Sequence, residues 1–372
     1  MSDWPTARLG EALELAYGKS LPKGQRVDAG QIPVYGSNGI TGWHDEALIE
    51  ESTVIVGRKG SAGAVQYVDG PCFPIDTTYF VRVRDGFEFN SKFLFYMLRR
   101  LDLTRLRTAT GVPGLTRDDA YRETIVVPRP DEQDVIVDLL SRADGILQLR
   151  HEAMAKADEL LCATFIDMFG DPATNPKGWP MRKVSEFVER FEGGKNLQAG
   201  SGAGSPFRIL KVSAVTSGSY LESESKPIPD DYEPPDGHIV RVGDMLFSRA
   251  NTEQLVGATA IVEQTNGTTL LPDKLWRMVW SESVETNYMY ALFQSPFVRR
   301  ELSAISSGTS ASMRNISQGR LFDLKLPVAP HEEQVAFADR VAPIRSIQTQ
   351  QASALIRAEE TFESLMASVF PF

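Results

Sequence analysis

The chain has 372 residues, of which 42% are hydrophobic and 24% charged, and its formal net charge is −10. This composition excludes a disordered chain, and the length predicts two domains or three. No apolar run approaches the roughly 18 residues that a membrane span needs. Two cysteines, Cys72 and Cys162, exclude a disulfide framework. Because the sequence also shows no secretory signal, we expect a cytoplasmic protein.

The first predicted unit, residues 1–130, alternates short β-branched or aromatic runs with glycine-rich turns, such as residues 35–39 and 57–63. These runs predict strands. Glycine in polar loops lets a partner approach the backbone closely. The Ser, Asn, Lys and Arg residues on these loops are types that contact phosphates and base edges, and they are equally the types found in ordinary turns.

A long helix with its linker is predicted over residues 131–178. Steps of four and three residues from Ile136 give a mostly apolar series that includes Leu140, Leu147 and Leu161. Spacing of this kind is typical of the seam of a coiled coil.

The second predicted unit, residues 179–329, repeats the plan of the first. Six features recur in the same order, which chance does not explain. The matching features are Trp4-Pro5 and Trp179-Pro180, Gly18-Lys19 and Gly194-Lys195, residues 54–58 and 245–249, Asp76 and Asp273, Asn90 and Asn287, and the Glu-Gln pairs that end residues 126–133 and 326–334.

A second long helix is predicted over residues 330–372. Its heptad series includes Leu355, Phe362 and Leu365. Since neither helix could bury its seam alone, we expect the two to pack on each other. The alternative is two unrelated surface helices, each lying on its own domain. Pro343 should kink the second helix or mark a short first segment.

The negative charge is concentrated in the two helical segments. They carry −9 of the net −10, and the two globular units are nearly neutral. Within those units basic residues cluster, for example at Arg99-Arg100 with Arg105 and Arg107. These charges permit DNA binding by the globular units without demonstrating it.

The sequence shows no catalytic motif and no metal-binding motif. Gly18-Lys19-Ser20 resembles the end of a phosphate-binding loop, but Leu13 occupies the position of the required glycine. The four histidines have no metal-ligand spacing. We therefore predict no catalytic residues, no metal and no cofactor.

Several stretches resemble the specificity subunit of type I restriction–modification systems. They are YGSNGITGWHDE (35–46), VIVGRKGSAG (54–63), FPIDTTYFV (73–81), TGVPGLTR (110–117) and the Pro-x-Pro-x-x-Glu-Gln motif before a long helix. The similarity covers essentially the whole chain. The second unit lacks the Gly-Arg-Lys-Gly-Ser stretch of the first.

The resemblance implies an α+β fold with two similar target recognition domains that contain mixed or antiparallel sheets. Two long antiparallel helices would join them as a coiled coil with pseudo-twofold symmetry. It further implies a non-catalytic subunit that reads a bipartite site in double-stranded DNA. Its protein partners would be two DNA methyltransferase subunits, which use S-adenosylmethionine, and the restriction subunits that join through the complex.

Candidate site residues follow from the basic and polar loop positions. In the first unit we predict these DNA-facing residues: Lys19, Asn38, Arg58, Lys59, Ser61, Thr110 and Arg117. In the second unit we predict Lys195, Asn196, Arg249, Asn251, Lys274, Ser310 and Arg314. The predicted helix-pairing residues are Leu140, Leu147, Leu161, Leu355, Phe362 and Leu365.

Three other functions remain open at this point. The chain could be a protein–protein scaffold with duplicated domains, an enzyme such as a nuclease or methyltransferase with an unrecognised site, or the specificity subunit of a related assembly that does not restrict DNA.

Overall fold

A computed structural model of the chain describes residues 4–108, 111–200, 204–310 and 313–372. The chain divides into two compact units, residues 1–151 with 354–372 (unit 1) and residues 152–353 (unit 2). Each unit combines one of the predicted globular parts with stretches of both predicted long helices, and each has its own hydrophobic core. The predicted α+β class is confirmed.

Unit 1 consists of short strands, three short helices and part of each long helix. Its strands are β1 (Thr6–Arg8), β2 (Leu13–Tyr17), β3 (Ile32–Gly36), β4 (Gly39–His44), β5 (Thr53–Gly57), β6 (Val65–Val68), β7 (Phe73–Pro74), β8 (Thr78–Val83) and β9 (Thr124–Val126). Its described helices are α1 (Leu9–Ala12), α2 (Ser91–Leu101), α3 (Arg117–Tyr121), the start of α4 (Pro130–Phe169) and the end of α8 (His331–Val369), with 3₁₀ turns at Lys23–Gln25 and Leu103–Leu106.

The strands of unit 1 form three small sheets. Their strand orders are β2-β8-β5-β6, β4-β3-β7 and β1-β9. Strand β5 is buried along its whole length, because it lies inside the four-stranded sheet with α2 packed against it. Helix α2 begins after Asn90, whose side-chain oxygen accepts hydrogen bonds from the N–H groups of Lys92 and Phe93.

The Glu-Gln pair at the start of α4 has a structural role. The side chain of Gln133 is buried and donates to the carbonyls of Glu88 and Pro128, each at 2.9 Å, while it accepts from the N–H of Asn90 at 2.8 Å. Gln133 therefore joins the first turn of α4 to the first turn of α2. Pro130 begins α4, a position where its missing N–H costs no helical hydrogen bond.

Unit 2 has the same kinds of element. Its strands are β10 (Met181–Lys183), β11 (Val188–Gly193), β12 (Arg208–Leu210), β13 (Ser225–Pro227), β14 (Met245–Ser248), β15 (Ala250–Asn251), β16 (Thr259–Ile261), β17 (Thr269–Leu270), β18 (Leu275–Trp280), β19 (Ser307–Ser310), β20 (Met313–Asn315) and β21 (Lys325–Pro327). Its described helices are the remainder of α4, α5 (Thr286–Gln294), α6 (Pro296–Ile305), α7 (Gln318–Asp323) and the first part of α8 (His331–Val369), with 3₁₀ turns at Val184–Glu186, Val212–Val215 and Asp236–His238.

The sheets of unit 2 repeat those of unit 1. The orders β11-β18-β14-β16, β13-β12-β17 and β10-β21 match the three sheets above, and β15-β20-β19 is added. Gln334 repeats two of the three bonds of Gln133, since it donates to the carbonyl of Ala329 at 2.8 Å and accepts from the N–H of Glu285 at 3.0 Å. The counterpart of Asn90 is thus Glu285. The predicted match with Asn287 is displaced, because Asn287 already lies inside α5.

Both long helices contribute to the core of each unit. In unit 1, Leu140 and Phe362 are buried and Leu147 and Leu365 are half-buried in one cluster. In unit 2, Leu161 is buried in the cluster that contains Phe337, Val341 and Ile344. Leu355 is half-buried. The contribution of these residues to helix pairing stays a prediction.

Helix α8 continues through Pro343 as a single element, so the expected short first segment does not occur. In the part of the chain that the structure describes, the helices include none with the length and apolar character to cross a bilayer.

Candidate nucleic-acid interface

In unit 1 several loops meet at the carbonyl group of Thr77. This oxygen accepts from the N–H groups of Arg58 at 2.9 Å and Lys59 at 3.1 Å. The hydroxyl of Ser37 also donates to it, at 2.5 Å. The loop before β8 therefore fixes both the β3–β4 turn and the loop after β5.

The loop of residues 57–63 requires glycine at both ends. A Cβ on Gly57 would lie 2.1 Å from the carbonyl oxygen of Ser61. Gly63 has a φ of +82°, and a Cβ there would lie 2.5 Å from the backbone of Leu103. The loop closes through a 2.8 Å hydrogen bond from the N–H of Gly63 to the carbonyl of Gly57. The Gly-Arg-Lys-Gly-Ser stretch thus specifies a tight loop that presents its two cations.

Three more of the predicted residues lie on loops of the same unit. The hydroxyl of Ser61 donates to Oδ1 of Asn38 at 3.4 Å, which joins the β3–β4 turn to the loop of residues 57–63. Lys19 is exposed, and its N–H donates to the carbonyl of Pro74 at 3.0 Å.

The exposed ring of Tyr17 brings two predicted cations together. The guanidinium of Arg117 lies 4.4 Å from the ring centre and that of Arg58 lies 5.1 Å from it. Both distances fall within the range of cation–π attraction. Burial, and then the neighbouring Tyr17, raise the pKa of Tyr79 to about 12, against the opposing charge of Arg58. The neutral phenol of Tyr79 donates to the carbonyl of Leu115 at 3.0 Å.

Arg249 occupies the position in unit 2 that Arg58 occupies in unit 1. The N–H of Arg249 donates to the carbonyl of Lys274 at 3.1 Å, and its own carbonyl accepts from the N–H of Ile316 at 2.8 Å. In unit 1 the carbonyl of Arg58 accepts from the N–H of Leu115 at 2.9 Å. The guanidinium of Arg249 lies 5.3 Å from the centre of the Trp276 ring. The second unit therefore keeps the loop geometry although it lacks the glycine-rich motif.

The other candidates of unit 2 are distributed around Arg249. Lys195, Asn196 and Lys274 are exposed. Lys195 lies 5.6 Å from the ring centre of Tyr232. Asn251 accepts from the N–H of Thr252 at 2.8 Å, and no described atom accepts a hydrogen bond from its buried Nδ2.

Arg314 differs from the other candidates because its guanidinium braces a hairpin. It donates to the hydroxyl of Ser306 at 2.9 Å and to the carbonyl of Ser306 at 3.3 Å. Thr110 and the side chain of Ser310 lie outside the described residues.

The predicted cations share an electrostatic property. Among the described residues, none of them has a carboxylate within 4.0 Å, whereas many other arginines of the chain form such ion pairs. The members of this set are Lys19, Arg58, Lys59, Arg117, Lys195, Arg249, Lys274 and Arg314. Their positive charge is thus available to an anionic partner.

Sequence reasoning missed the two rings that hold these arginines. Tyr17 is 49% exposed at the end of β2, directly before the Gly18-Lys19 motif. An aromatic residue that ends a strand beside a predicted basic loop was the available signal. Trp276 carried less signal, since it lies within a buried strand and resembles a core residue.

Helix α4 carries a further apolar stripe that is exposed. Val135, Leu139, Ile146 and Leu149 are spaced so that they share one face of the helix, and all four are exposed. The heptad series through Leu140 lies on a different face. Within the described ranges, no group of three or more His, Cys, Asp or Glu side chains could hold a metal ion.

Comparison with known proteins identifies relatives. Residues 1–157 match the family model described as type I restriction modification DNA specificity domain. The type I restriction enzyme EcoEI specificity subunit of Escherichia coli is 28% identical over 195 residues, which cover 51% of this chain and 33% of that subunit. The match thus spans about a third of the length of that relative.

Two further proteins match over most of the chain. The type I restriction enzyme MjaVIII specificity subunit of Methanocaldococcus jannaschii is 22% identical over 378 residues, covering 93% of this chain and 87% of that subunit. The crystal structure of the type I restriction–modification system S subunit from M. genitalium has a TM-score of 0.64 at 15% identity, covering 100% of this chain and 96% of that chain. The structural match shows a shared fold. The family model and the relatives confirm the resemblance found in the sequence motifs.

Proposed function

We propose that this relative of the type I specificity subunits is the DNA-recognition subunit of a type I restriction–modification complex, and that it has no catalytic activity of its own. The proposal depends on one observation about two loop clusters, which are the loops around Arg58 in unit 1 and the loops around Arg249 in unit 2. Both clusters present cations that lack carboxylate partners among the described residues, and Arg58 and Arg249 occupy equivalent positions in them. Duplex DNA is the polyanion that such surfaces bind.

The two loop clusters contain groups for both kinds of DNA contact. Exposed Lys19, Lys59 and Lys274 suit phosphates, which fix the position of the protein on the duplex. Arginine pairs with the acceptor edge of guanine and asparagine with that of adenine. Arg58 and Arg249, together with Asn251, therefore suit base recognition.

The duplication supports reading of a bipartite site. Each unit has a loop cluster built on the same sheet plan, so each can read one half-site of a divided sequence. In this proposal the globular parts are the two target recognition domains, with predicted boundaries at residues 1–130 and 179–329. The long helices, predicted within 131–178 and 330–372, hold them at a fixed spacing.

The protein partners dock on the helical segments. These segments are acidic, so phosphate does not favour them, and α4 exposes an apolar stripe where Val135 is 70% exposed and Leu139 is 44% exposed. We assign this surface to the two methyltransferase subunits. Restriction subunits join through the complex, and this chain needs no cofactor.

The decisive experiment maps methylated sites in a genome that carries this gene and its neighbours, with and without the gene. A methylated split sequence that disappears on deletion supports the proposal. A footprint on that sequence, given by the purified chain with its methyltransferase partner, places recognition in this complex. Partner binding without any protection of DNA would instead favour a scaffold, and methyl transfer or cleavage by the isolated chain would establish an enzyme.

A further inference from the structure

An arginine-rich pocket lies in unit 1, and none of the predicted DNA-facing residues lines it. Its volume is about 580 Å³. Four guanidinium groups and two carboxylates line it, together with Leu101, Thr124 and Phe372. The charged residues are Arg8, Arg100, Arg105, Arg122, Asp102 and Glu123. The pocket therefore has an excess of positive charge.

Two of these arginines are not neutralised within the described chain. Arg105 forms an ion pair with Glu123, and Arg122 forms one with Asp119 at 3.3 Å. No described carboxylate lies within 4.0 Å of Arg8 or Arg100. Their charge is available to a ligand.

The hydrogen bonds of the same two arginines leave donors free. Arg8 donates from Nη1 to the carbonyl of Arg122 and to the hydroxyl of Thr124. The Nε of Arg100 is buried, and no described atom accepts a hydrogen bond from it. A buried donor without an acceptor calls for a partner such as an ion or water, and Arg58 and Arg249 carry an unpaired Nε of the same kind. The missing acceptor therefore supports a ligand only together with the uncompensated charge of Arg8 and Arg100.

In unit 2 the residue that corresponds to Arg8 is neutralised by an ion pair. Arg8 ends β1 and Lys183 ends β10, in the same antiparallel register with β9 and β21. Nζ of Lys183 pairs with Asp323 at 2.8 Å. The residue at the corresponding position in unit 1 is Arg122. Unit 2 thus neutralises its cation with the carboxylate of Asp323, whereas unit 1 has a second guanidinium, that of Arg122, at the same position.

We propose that this arginine pocket binds an oxyanion of the phosphate class. Guanidinium groups bind the planar oxygen pairs of phosphate through two parallel hydrogen bonds, which are stronger than neutral ones. The volume exceeds that of a single phosphate ion, so the pocket can take a phosphodiester or a phosphorylated small molecule. These two sources share one chemistry, and they are separated by experiment. The site lies outside the loop clusters of the proposed function and does not depend on them.

The test uses the full chain with inorganic phosphate as the probe. Phosphate should raise the melting temperature of the unchanged chain more than that of Arg100→Gln, because binding to the pocket stabilises only the chain that has the site, whereas exclusion of phosphate from the surface stabilises both alike. Isothermal titration should show phosphate binding weakened about tenfold or more in Arg100→Gln, which removes a charge-assisted bond. The same loss is expected in Arg122→Asp, which replaces a cation of the pocket by an anion and offers Arg8 the carboxylate partner that Lys183 has in unit 2. Arg122→Asp recreates the ion-pair arrangement of unit 2 at an exposed residue, so the variant should fold.

The control is Arg142→Gln, which removes an exposed arginine that pairs with Asp138 on α4. It should bind phosphate as the unchanged chain does. Equal phosphate binding by the unchanged chain and Arg122→Asp, or an equal loss in the control, would overturn the proposal.

A second arm identifies the source of the phosphate. The affinity for a mixed-sequence duplex is measured against salt concentration for Arg100→Gln and the Arg142→Gln control. A salt slope lower by about one in Arg100→Gln assigns the pocket to the DNA backbone. An unchanged slope together with lost phosphate binding assigns it to a free phosphorylated ligand. If the unchanged chain binds no DNA, the proposed function fails while the phosphate titration still decides this site.

Discussion

The guanidinium of Arg117 lies 4.4 Å from the centre of the Tyr17 ring, although these residues come from distant parts of the chain. Tyr17 ends β2 and Arg117 begins α3. The contact therefore joins two edges of the loop cluster in unit 1. It also orders a cation that has no carboxylate partner among the described residues. The ring, which is itself exposed, offers a face on which a base or sugar can pack.

Replacement of Tyr17 by Ala should weaken DNA binding by about threefold to tenfold, since a cation–π contact contributes roughly 0.5–1 kcal/mol at an exposed site and the two arginines lose their order. Tyr17→Phe keeps the ring and should bind nearly as well as the unchanged chain. Fluorescence anisotropy with a labelled duplex measures both. Equal losses for Ala and Phe would contradict a role for the ring.

The double substitution of Arg58 and Lys59 by Ala should lower DNA affinity and flatten its dependence on salt. Each phosphate contact that is lost reduces the slope of log K against log salt by about one. Filter binding across a range of salt concentrations gives the slope. An Arg142→Ala variant should leave the slope unchanged, because that exposed arginine lies on α4. An unchanged slope in the double variant would reject the contact of Lys59 with phosphate, and an unchanged affinity as well would reject the assignment of both residues.

Arg249 and Arg314 should behave differently when replaced by Ala, although both belong to the predicted set of unit 2. Arg314 makes two hydrogen bonds to Ser306, so its loss should lower the stability of unit 2 by about 1–2 kcal/mol. Arg249→Ala should instead reduce DNA affinity with little change in melting temperature. Calorimetry and anisotropy on both variants distinguish the effects, and a drop in stability for Arg249→Ala equal to that for Arg314→Ala would contradict this division.

The sequence predicts the duplicated plan because matched local patterns recur along the chain. The buried strand before Arg58 has its counterpart before Arg249, and the Glu-Gln pairs reappear at the starts of α4 and α8. These features depend on neighbouring residues, which a sequence shows directly.

Contacts between distant residues are not visible in this way. The arginine pocket brings Arg8 together with Arg100 and Arg122. The pairing of β1 with β9 makes Arg8 a neighbour of Arg122, and Arg100 comes from α2. The exposed stripe of α4 was missed for another reason. A heptad search selects one face of a helix, and Leu139 and Ile146 belong to another face.

Substitution of Leu140 should affect folding stability, whereas substitution of its neighbour Leu139 should affect assembly with the partner. Leu140 is 0% exposed in the core of unit 1, and Leu139 is 44% exposed. Leu140→Asp buries an unpaired polar group and creates a cavity, so it should cost about 3–5 kcal/mol. Leu139→Asp should leave the melting temperature unchanged and weaken binding of the methyltransferase partner.

Denaturant unfolding and co-purification with the partner measure the two effects. Half-buried Leu355 should give an intermediate loss of stability when changed to Asp. If Leu139→Asp assembled as well as the unchanged chain, the exposed stripe would not be the docking surface.

The charge of Glu192 should make part of the stability of unit 2 depend on pH. Burial by itself would raise the pKa of this carboxyl, but hydrogen bonds from Arg190 and Arg277 outweigh burial and lower the pKa below its ordinary value. Arg277 is 8% exposed and lies 3.1 Å from Glu192, so the pair is partly shielded from water. A carboxyl with a lowered pKa in the folded state stabilises the fold above its unfolded pKa, and this contribution is lost as the pH falls through the folded value.

Glu192→Gln should therefore lower the free energy of unfolding by about 1–2 kcal/mol at pH 7. The difference from the unchanged chain should shrink as the pH falls below the ordinary pKa of a glutamate, because the carboxyl of the unchanged chain then becomes protonated as well. Glu189→Gln is the matched control, since Glu189 pairs with Arg190 alone at an exposed position and exposed pairs contribute little. Urea unfolding at several pH values measures both variants. A loss of stability that stayed constant across that range would mean that Glu192 acts through packing and not through its charge.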